Sequence, residues 1–220
     1  MNLLSNILIE PNVLTPEALQ ELQEHARNST TTDLSVFDPD KTNETGETSW
    51  IVDKDIRDTQ IIEFGPLFPK IEELFKNIVK HIINPFYGIE VWDSEVPQFL
   101  KYDVGGHYKP HIDGRSIWFA PNGDKIWRKS TCRDLSIVLF VNDGNGKDFE
   151  GGNFTFPEIG IEIPPKAGTL VCFPSDQNYL HGVLPVIKGT RYSIVSWARV
   201  KGQKTKEQED KELLEKYGVN

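Results

Sequence analysis

The chain has 220 residues, 38% hydrophobic and 26% charged, proportions that support a packed interior and exclude a disordered polymer. Lys and Arg total 24 against 33 Asp and Glu, a formal net charge of −9 that disfavours non-specific nucleic-acid binding, which needs cationic side chains to displace phosphate counterions. Cys132 and Cys172 are too few for a disulfide framework and read as reduced thiols of a cytosolic protein. No basic residue precedes Arg27, and no apolar run reaches the length of a signal peptide or membrane span.

In chain order, the first predicted element is a helix over 15–28. Thr15 is its N-cap and Pro16 its first position, with Ala18, Leu19, Leu22 and Ala26 at helical spacing. Residues 29–50 are rich in Ser, Thr, Asp and Asn and read as an irregular excursion, either an ordinary loop or a lid. A longer helix fits 66–84, where Leu67, Ile71, Leu74, Phe75, Ile78, Val79 and Ile82 form a core-facing stripe, and Pro85 is expected to end it.

From residue 89 the pattern becomes short strands between turn residues: 89–92, 98–104, 111–113, 135–142, 153–156, 160–163, 169–173, 182–186 and 191–200. Residues 114–133 read as a polar loop carrying two tryptophans. The pairs Glu207/Lys211 and Glu212/Lys216 mark a solvated terminal helix. Many short strands without intervening helices indicate a jelly roll, and helices ahead of them indicate packing on one outer sheet face. The expected architecture is α+β, mainly β, in one domain over 1–220. Residues 1–88 form a helical support, 89–200 the core and 201–220 a helical tail.

Of the five histidines, two carry interest. In YDVGGHYKPHID (102–113), His111 and Asp113 stand two apart, so in an extended strand both leave the same face. A His-x-Asp alone is a weak signal. His181, after the 169–173 strand and a polar turn, supplies a possible third ligand, and two His with one carboxylate make the facial triad of non-haem Fe(II) oxygenases. The alternative is a satisfied core or turn histidine. Ten residues further on, Arg191 shares a strand face with Ser193, Val195 and Trp197 and so points toward an apolar interior. Burial of a guanidinium requires an anion, either a structural Asp or Glu or a bound dicarboxylate.

Tyr102-x-x-Gly105-x-x-Tyr108-x-x-His111-x-Asp113, followed by EGGNFTFPEIG, PKAGTLVCFPS, His181 and RYSIVSW, resembles the prolyl 4-hydroxylase-like branch of the Fe(II)/2-oxoglutarate dioxygenases over about residues 98–200. The resemblance implies a double-stranded β-helix with His111, Asp113 and His181 as iron ligands. It also implies that Arg191 binds the distal carboxylate of 2-oxoglutarate, assisted by the Tyr102 hydroxyl, and that Trp197 packs the pocket wall. The implied reaction consumes 2-oxoglutarate and O2, releases succinate and CO2, and hydroxylates a substrate, with ascorbate as reductant. A peptidyl proline in a peptide or protein is the implied substrate, ahead of a small metabolite or nucleic acid.

Two departures from the family pattern bear on this. Collagen-type and plant members usually carry lysine at Arg191, and 114–133 is longer than the corresponding link in small prolyl hydroxylases. The resemblance implies a substrate-facing residue at Tyr108, the alternative being a rim tyrosine; Trp118, Trp127 and Arg128 are candidate substrate contacts on the reading that 114–133, with 29–50, closes over an extended peptide. The competing reading of the two tryptophans is that they pin the loop onto the sandwich. The competing function is a non-oxidative metal-binding jelly roll of the cupin type, which has no need of a buried Arg191.

Overall fold

The computed structural model describes residues 3–42 and 48–218. Its strands in chain order are β1 (Leu8–Glu10), β2 (Thr31–Asp33), β3 (Val36–Thr42), β4 (Thr48–Ile51), β5 (Arg57–Asp58), β6 (Gln60–Ile62), β7 (Val91–Ser94), β8 (Gln98–Tyr102), β9 (His107–His111) and β10 (Arg115–Phe119). They continue with β11 (Lys125–Lys129), β12 (Leu135–Phe140), β13 (Phe149–Gly151), β14 (Phe154–Phe156), β15 (Ile161–Ile163), β16 (Leu170–Pro174), β17 (His181–Val183), β18 (Val186–Gly189) and β19 (Arg191–Val200). The α-helices are α1 (Pro16–Asn28), α2 (Phe68–Ile78), α3 (Asn84–Tyr87) and α4 (Lys206–Tyr217).

The major sheet runs β1-β16-β12-β19-β8-β6-β2, with β7 also paired to β19, and the minor sheet runs β15-β14-β17-β9-β5. Every pairing is antiparallel. The central strands are apolar on both faces because each face is covered. From β12, Ile137 and Leu139 join Cys172 and Ile194 under Leu22, Ala26, Ile71, Phe75 and Ile78 of the helices. The alternate residues Val138 and Phe140 face the minor sheet, packing with Phe154, Phe156 and Val183. The jelly roll with helices on one outer face is therefore the observed architecture.

The region before residue 89 does more than support it. β1, β2 and β6 extend the major sheet and β5 the minor one, so sheet formation begins well ahead of the expected core. These strands are two or three residues long, too short for alternation to stand out from the surrounding sequence. The excursion at 29–50 contains β2 and the β3–β4 hairpin rather than irregular chain, with 43–47 outside the described residues.

The second helix does not stop at Pro85. A π turn over Val79–Ile83 leads into α3, which places Pro85 in a first turn where its missing N–H costs nothing, and Gly88 in the left-handed region ends the run. Helix α1 starts as expected, with the Thr15 hydroxyl accepting from the Ala18 N–H at 3.2 Å.

Residues 114–133 are not a loop. β10 and β11 pair in register from Arg115↔Lys129 to Phe119↔Lys125. Nor is the terminal helix simply solvated. Glu209 of α4 takes both Arg115 guanidinium nitrogens at 2.8 and 3.2 Å and the Lys129 N–H at 2.9 Å. Asp210 pairs with Arg128, and Tyr217 meets the Trp118 ring edge-on at 5.6 Å. Among the described residues no helix is long and apolar enough to cross a membrane.

Candidate active site

The site lies between the two sheets, and a bulge aims its side chains. His181 pairs with His111 and Val183 with Tyr108, so three residues of β17 face four of β9. The extra residue falls around Lys109–Pro110, where proline leaves no ladder N–H unpaired. Without the bulge Tyr108 and His111 would leave opposite faces. With it their rings stack, centroids 3.6 Å apart. Gly182 sits across from the bulge, and a Cβ there would lie 2.8 Å from the Tyr108 carbonyl oxygen, so a side chain is excluded. The strand expected at 111–113 is in fact β9, ending at His111. Asp113 lies just beyond it, held by the neighbouring Gly114 N–H donating to the Ser175 carbonyl at 2.9 Å.

Asp113 Oδ1 is 3.5 Å from His111 Nε2, and Oδ2 is 3.3 Å from His181 Nε2. The ligand atoms of the three residues all lie within 4.8 Å of one another, a separation one metal ion can span. Nδ1 of His111 is 2.9 Å from the Lys109 carbonyl and Nδ1 of His181 is 2.9 Å from the Tyr179 carbonyl. A carbonyl only accepts, so each Nδ1 carries the proton and each Nε2 presents a lone pair to the centre. Burial, reinforced by His181, depresses the His111 pKa and favours the neutral ligand form. Burial alone would raise Asp113, but the two imidazoles outweigh it and hold the carboxyl well below its ordinary range. The Ser136 hydroxyl donates to Asp113 Oδ2 at 2.7 Å and lies 2.7 Å from the Ser175 hydroxyl, fixing the carboxylate plane.

The same cavity, of about 420 Å³, contains Arg191. Its residue is 1% exposed, Nη1 donates to the Ser193 hydroxyl at 3.0 Å, and Nε has no partner. The guanidinium lies 4.8 Å from the Tyr102 ring centroid and 5.5 Å from that of Phe140. Burial lowers its pKa while Tyr102 works the other way. Among the described residues no carboxylate pairs with it, so a structural Asp or Glu does not account for its burial. A buried cation with an unused N–H, sharing a cavity with a His/Asp/His cluster, fits a dicarboxylate bridging the two. Gly152 makes room for it: at φ +61°, its Cβ would stand 3.0 Å from Arg191 Cδ.

Tyr102, Tyr108 and Trp197 line this cavity beside the triad and Arg191. Trp118, Trp127 and Arg128 do not: Trp118 packs on Tyr217, Arg128 pairs with Asp210, and Trp127 is 40% exposed on the hairpin. From 29–50, Leu34 and Ser35 reach the cavity. Sequence reasoning passed over Ser136, Arg57 and Arg133. Arg133 lies over the Trp197 ring at 3.6 Å and makes two 2.7 Å contacts to Glu95. Nothing local in the sequence marks these three as cavity residues.

Two antiparallel sheets enclosing a His-x-Asp…His cluster beside an unpaired buried arginine form a site that can hold one metal ion and a dicarboxylate. The family model described as "2OG-Fe(II) oxygenase superfamily" matches residues 97–199 of this chain. It is 32% identical over 154 residues to a PKHD-type hydroxylase of Aliarcobacter butzleri, covering 63% of this chain and 58% of that one. It is also 32% identical over 130 residues to prolyl 4-hydroxylase subunit alpha-1 of Gallus gallus, covering 55% of this chain and 24% of that one. The chain thus spans less than two thirds of the length of these curated relatives. Among solved structures, a Trichoplax adhaerens prolyl hydroxylase in complex with a hypoxia inducible factor peptide fragment shares the fold at TM-score 0.63 and 16% identity, covering 93% of this chain and 86% of that one. A Pseudomonas putida prolyl-4-hydroxylase does so at TM-score 0.54 and 24% identity, covering 88% and 92%. Fe(II) and 2-oxoglutarate fit the donor set and the orphaned arginine.

Proposed function

We propose that the chain is an Fe(II)- and 2-oxoglutarate-dependent hydroxylase whose substrate is a prolyl residue of a peptide or protein. The observation that carries it is Arg191, a fully buried guanidinium without a carboxylate partner in the cavity of the triad. His111 and His181 would hold the metal through Nε2 and Asp113 through a carboxylate oxygen. Bound there, ferrous iron with 2-oxoglutarate and O2 supplies the oxidising power, with succinate and CO2 as co-products and ascorbate as a reductant that keeps the metal ferrous.

The chain's own residues bind and orient. Arg191 and the Tyr102 hydroxyl take the distal carboxylate with Phe140 packed beside that end, Trp197 walls the cavity at the metal end across from Ser136, and Ser136 sets the Asp113 carboxylate. Tyr108, stacked on His111 in the cavity wall, would meet the substrate beside the metal. The prolyl hydroxylases among the relatives and neighbours support proline as target, and both cysteines are free, in keeping with a reducing compartment.

The test is 2-oxoglutarate turnover with Fe(II) and ascorbate over a panel of proline-containing peptides, reading a mass gain of one oxygen. Turnover with oxygen inserted into no peptide would remove proline as target, and absence of 2-oxoglutarate turnover would remove the oxygenase reading.

A further inference from the structure

Two guanidiniums in the cavity have an Nε–H without a partner, Arg191 and Arg57. Arg191 is accounted for by 2-oxoglutarate. Arg57 is not. It sits in β5 opposite Tyr108, its guanidinium 4.6 Å from the Tyr108 ring centroid, and Tyr108 stacks in turn on His111. Its backbone is tied down by Arg57 N–H donating to the Asp53 carbonyl at 2.9 Å and by Lys109 N–H donating to the Ile56 carbonyl at 2.9 Å. Of the acids of its own segment, Asp58 pairs with Lys54, Asp53 accepts from the Asp55 N–H, and Asp55 makes no ion pair with Arg57. No ion pair to Arg57 exists among the described residues, whereas Arg133, the third arginine of the cavity, is neutralised by Glu95.

Charge balance makes this informative. A divalent metal and Arg191 contribute three positive charges, while Asp113 and the 2-oxoglutarate dianion contribute three negative ones. The loaded site is neutral, and the Arg57 cation is left over in a largely apolar cavity. We propose that Arg57 anchors an anionic group of the substrate, a carboxylate on a residue adjoining the target proline. This rests on the hydroxylase reading above. A single carboxylate matches the single leftover charge. The planar fork can present its N–H edge to the carboxylate while its face stays on Tyr108. Arg57 is thereby a specificity-determining contact set two rings, Tyr108 and His111, away from the metal site.

The experiment uses the full chain loaded with Co(II), which does not support turnover, and 2-oxoglutarate. Peptides are acetyl-Gly-Xaa-Pro-Gly-amide and acetyl-Gly-Pro-Xaa-Gly-amide with Xaa Asp, Asn or Lys, and the readout is Kd by calorimetry. In one of the two orders the Asp peptide is expected to bind at least about tenfold tighter than the Asn peptide. Arg57→Gln brings that ratio close to one, Arg57→Lys keeps a preference for Asp, and Arg57→Glu inverts it in favour of Lys. Each result is a ratio on one protein, so a variant that loads or folds less well cannot imitate it. A wild-type ratio near one, no binding of any peptide to the loaded protein, or a preference that persists in Arg57→Gln overturns the assignment. Failure of the protein to take up 2-oxoglutarate, titrated first, overturns the hydroxylase reading as well.

Discussion

Each ligand of the candidate metal site is oriented by a contact that serves no other visible purpose. The Nδ1 protons of His111 and His181 are spent on main-chain carbonyls, and Asp113 is held by Ser136. His111→Ala, Asp113→Ala and His181→Ala should therefore each abolish stoichiometric Fe(II) or Co(II) binding while leaving the far-ultraviolet circular dichroism unchanged. Full metal occupancy in any one of them, measured by elemental analysis, would contradict the assignment. Ser136→Ala removes the orienting bond to Asp113 together with the contact to Ser175 and should weaken metal about 10- to 100-fold, measured by competition with a chelator. At Arg191, alanine should weaken 2-oxoglutarate by on the order of 2–4 kcal/mol, about 30- to 1000-fold, with far less effect on metal. Lysine there should fall between the two, because an ammonium keeps the charge and loses the fork. Unchanged 2-oxoglutarate affinity in Arg191→Ala would place the carboxylate elsewhere.

Among elements, the β10–β11 hairpin shows why aromatic content misleads. Two tryptophans in a polar stretch suggested a substrate lid, yet Trp118 packs on Tyr217 and the hairpin is clamped by Glu209 and Asp210 of α4. The ring contact of Trp118 is with α4 rather than with the sandwich onto which the pinning reading placed it. Glu209 accepts from Arg115 and from the Lys129 N–H in a part-buried setting, so Glu209→Ala leaves donors without a partner on both hairpin strands. Amide hydrogen exchange across 115–129 should then accelerate by tenfold or more relative to β12 and β19. If the hairpin exchanges as in the parent, α4 is not what holds it.

At the scale of the molecule, the jelly roll closes only with strands from the first 62 residues. β1 covers the edge of β16, β6 covers β8, and β5 brings Arg57 to the cavity wall. A fragment spanning 89–220 contains every motif residue, yet it exposes those two strand edges and the apolar face now under α1 and α2. It should be aggregated or lack a cooperative thermal transition, whereas the full chain melts cooperatively. A soluble, cooperatively melting fragment would show that the N-terminal strands are dispensable.

The sequence alone determined the chemistry-bearing set. Residue types at short, fixed spacings, His111-x-Asp113 and then His181 and Arg191, carry their meaning locally, and the alternation of β19 correctly put Arg191, Ser193, Val195 and Trp197 on the cavity side. The longer apolar stripes likewise specified α1, α2 and the central strands, because a period repeated over many residues is a strong signal. What only the tertiary structure decided depends on partners distant in the chain. The bulge that turns Tyr108 onto His111 requires β17 with Gly182 opposite it. The two- and three-residue strands of the N-terminal region take their conformation from the edges they cover. Whether an arginine is neutralised is likewise fixed in three dimensions: Arg133 finds Glu95, 38 residues away, and Arg57 finds no carboxylate among the described residues.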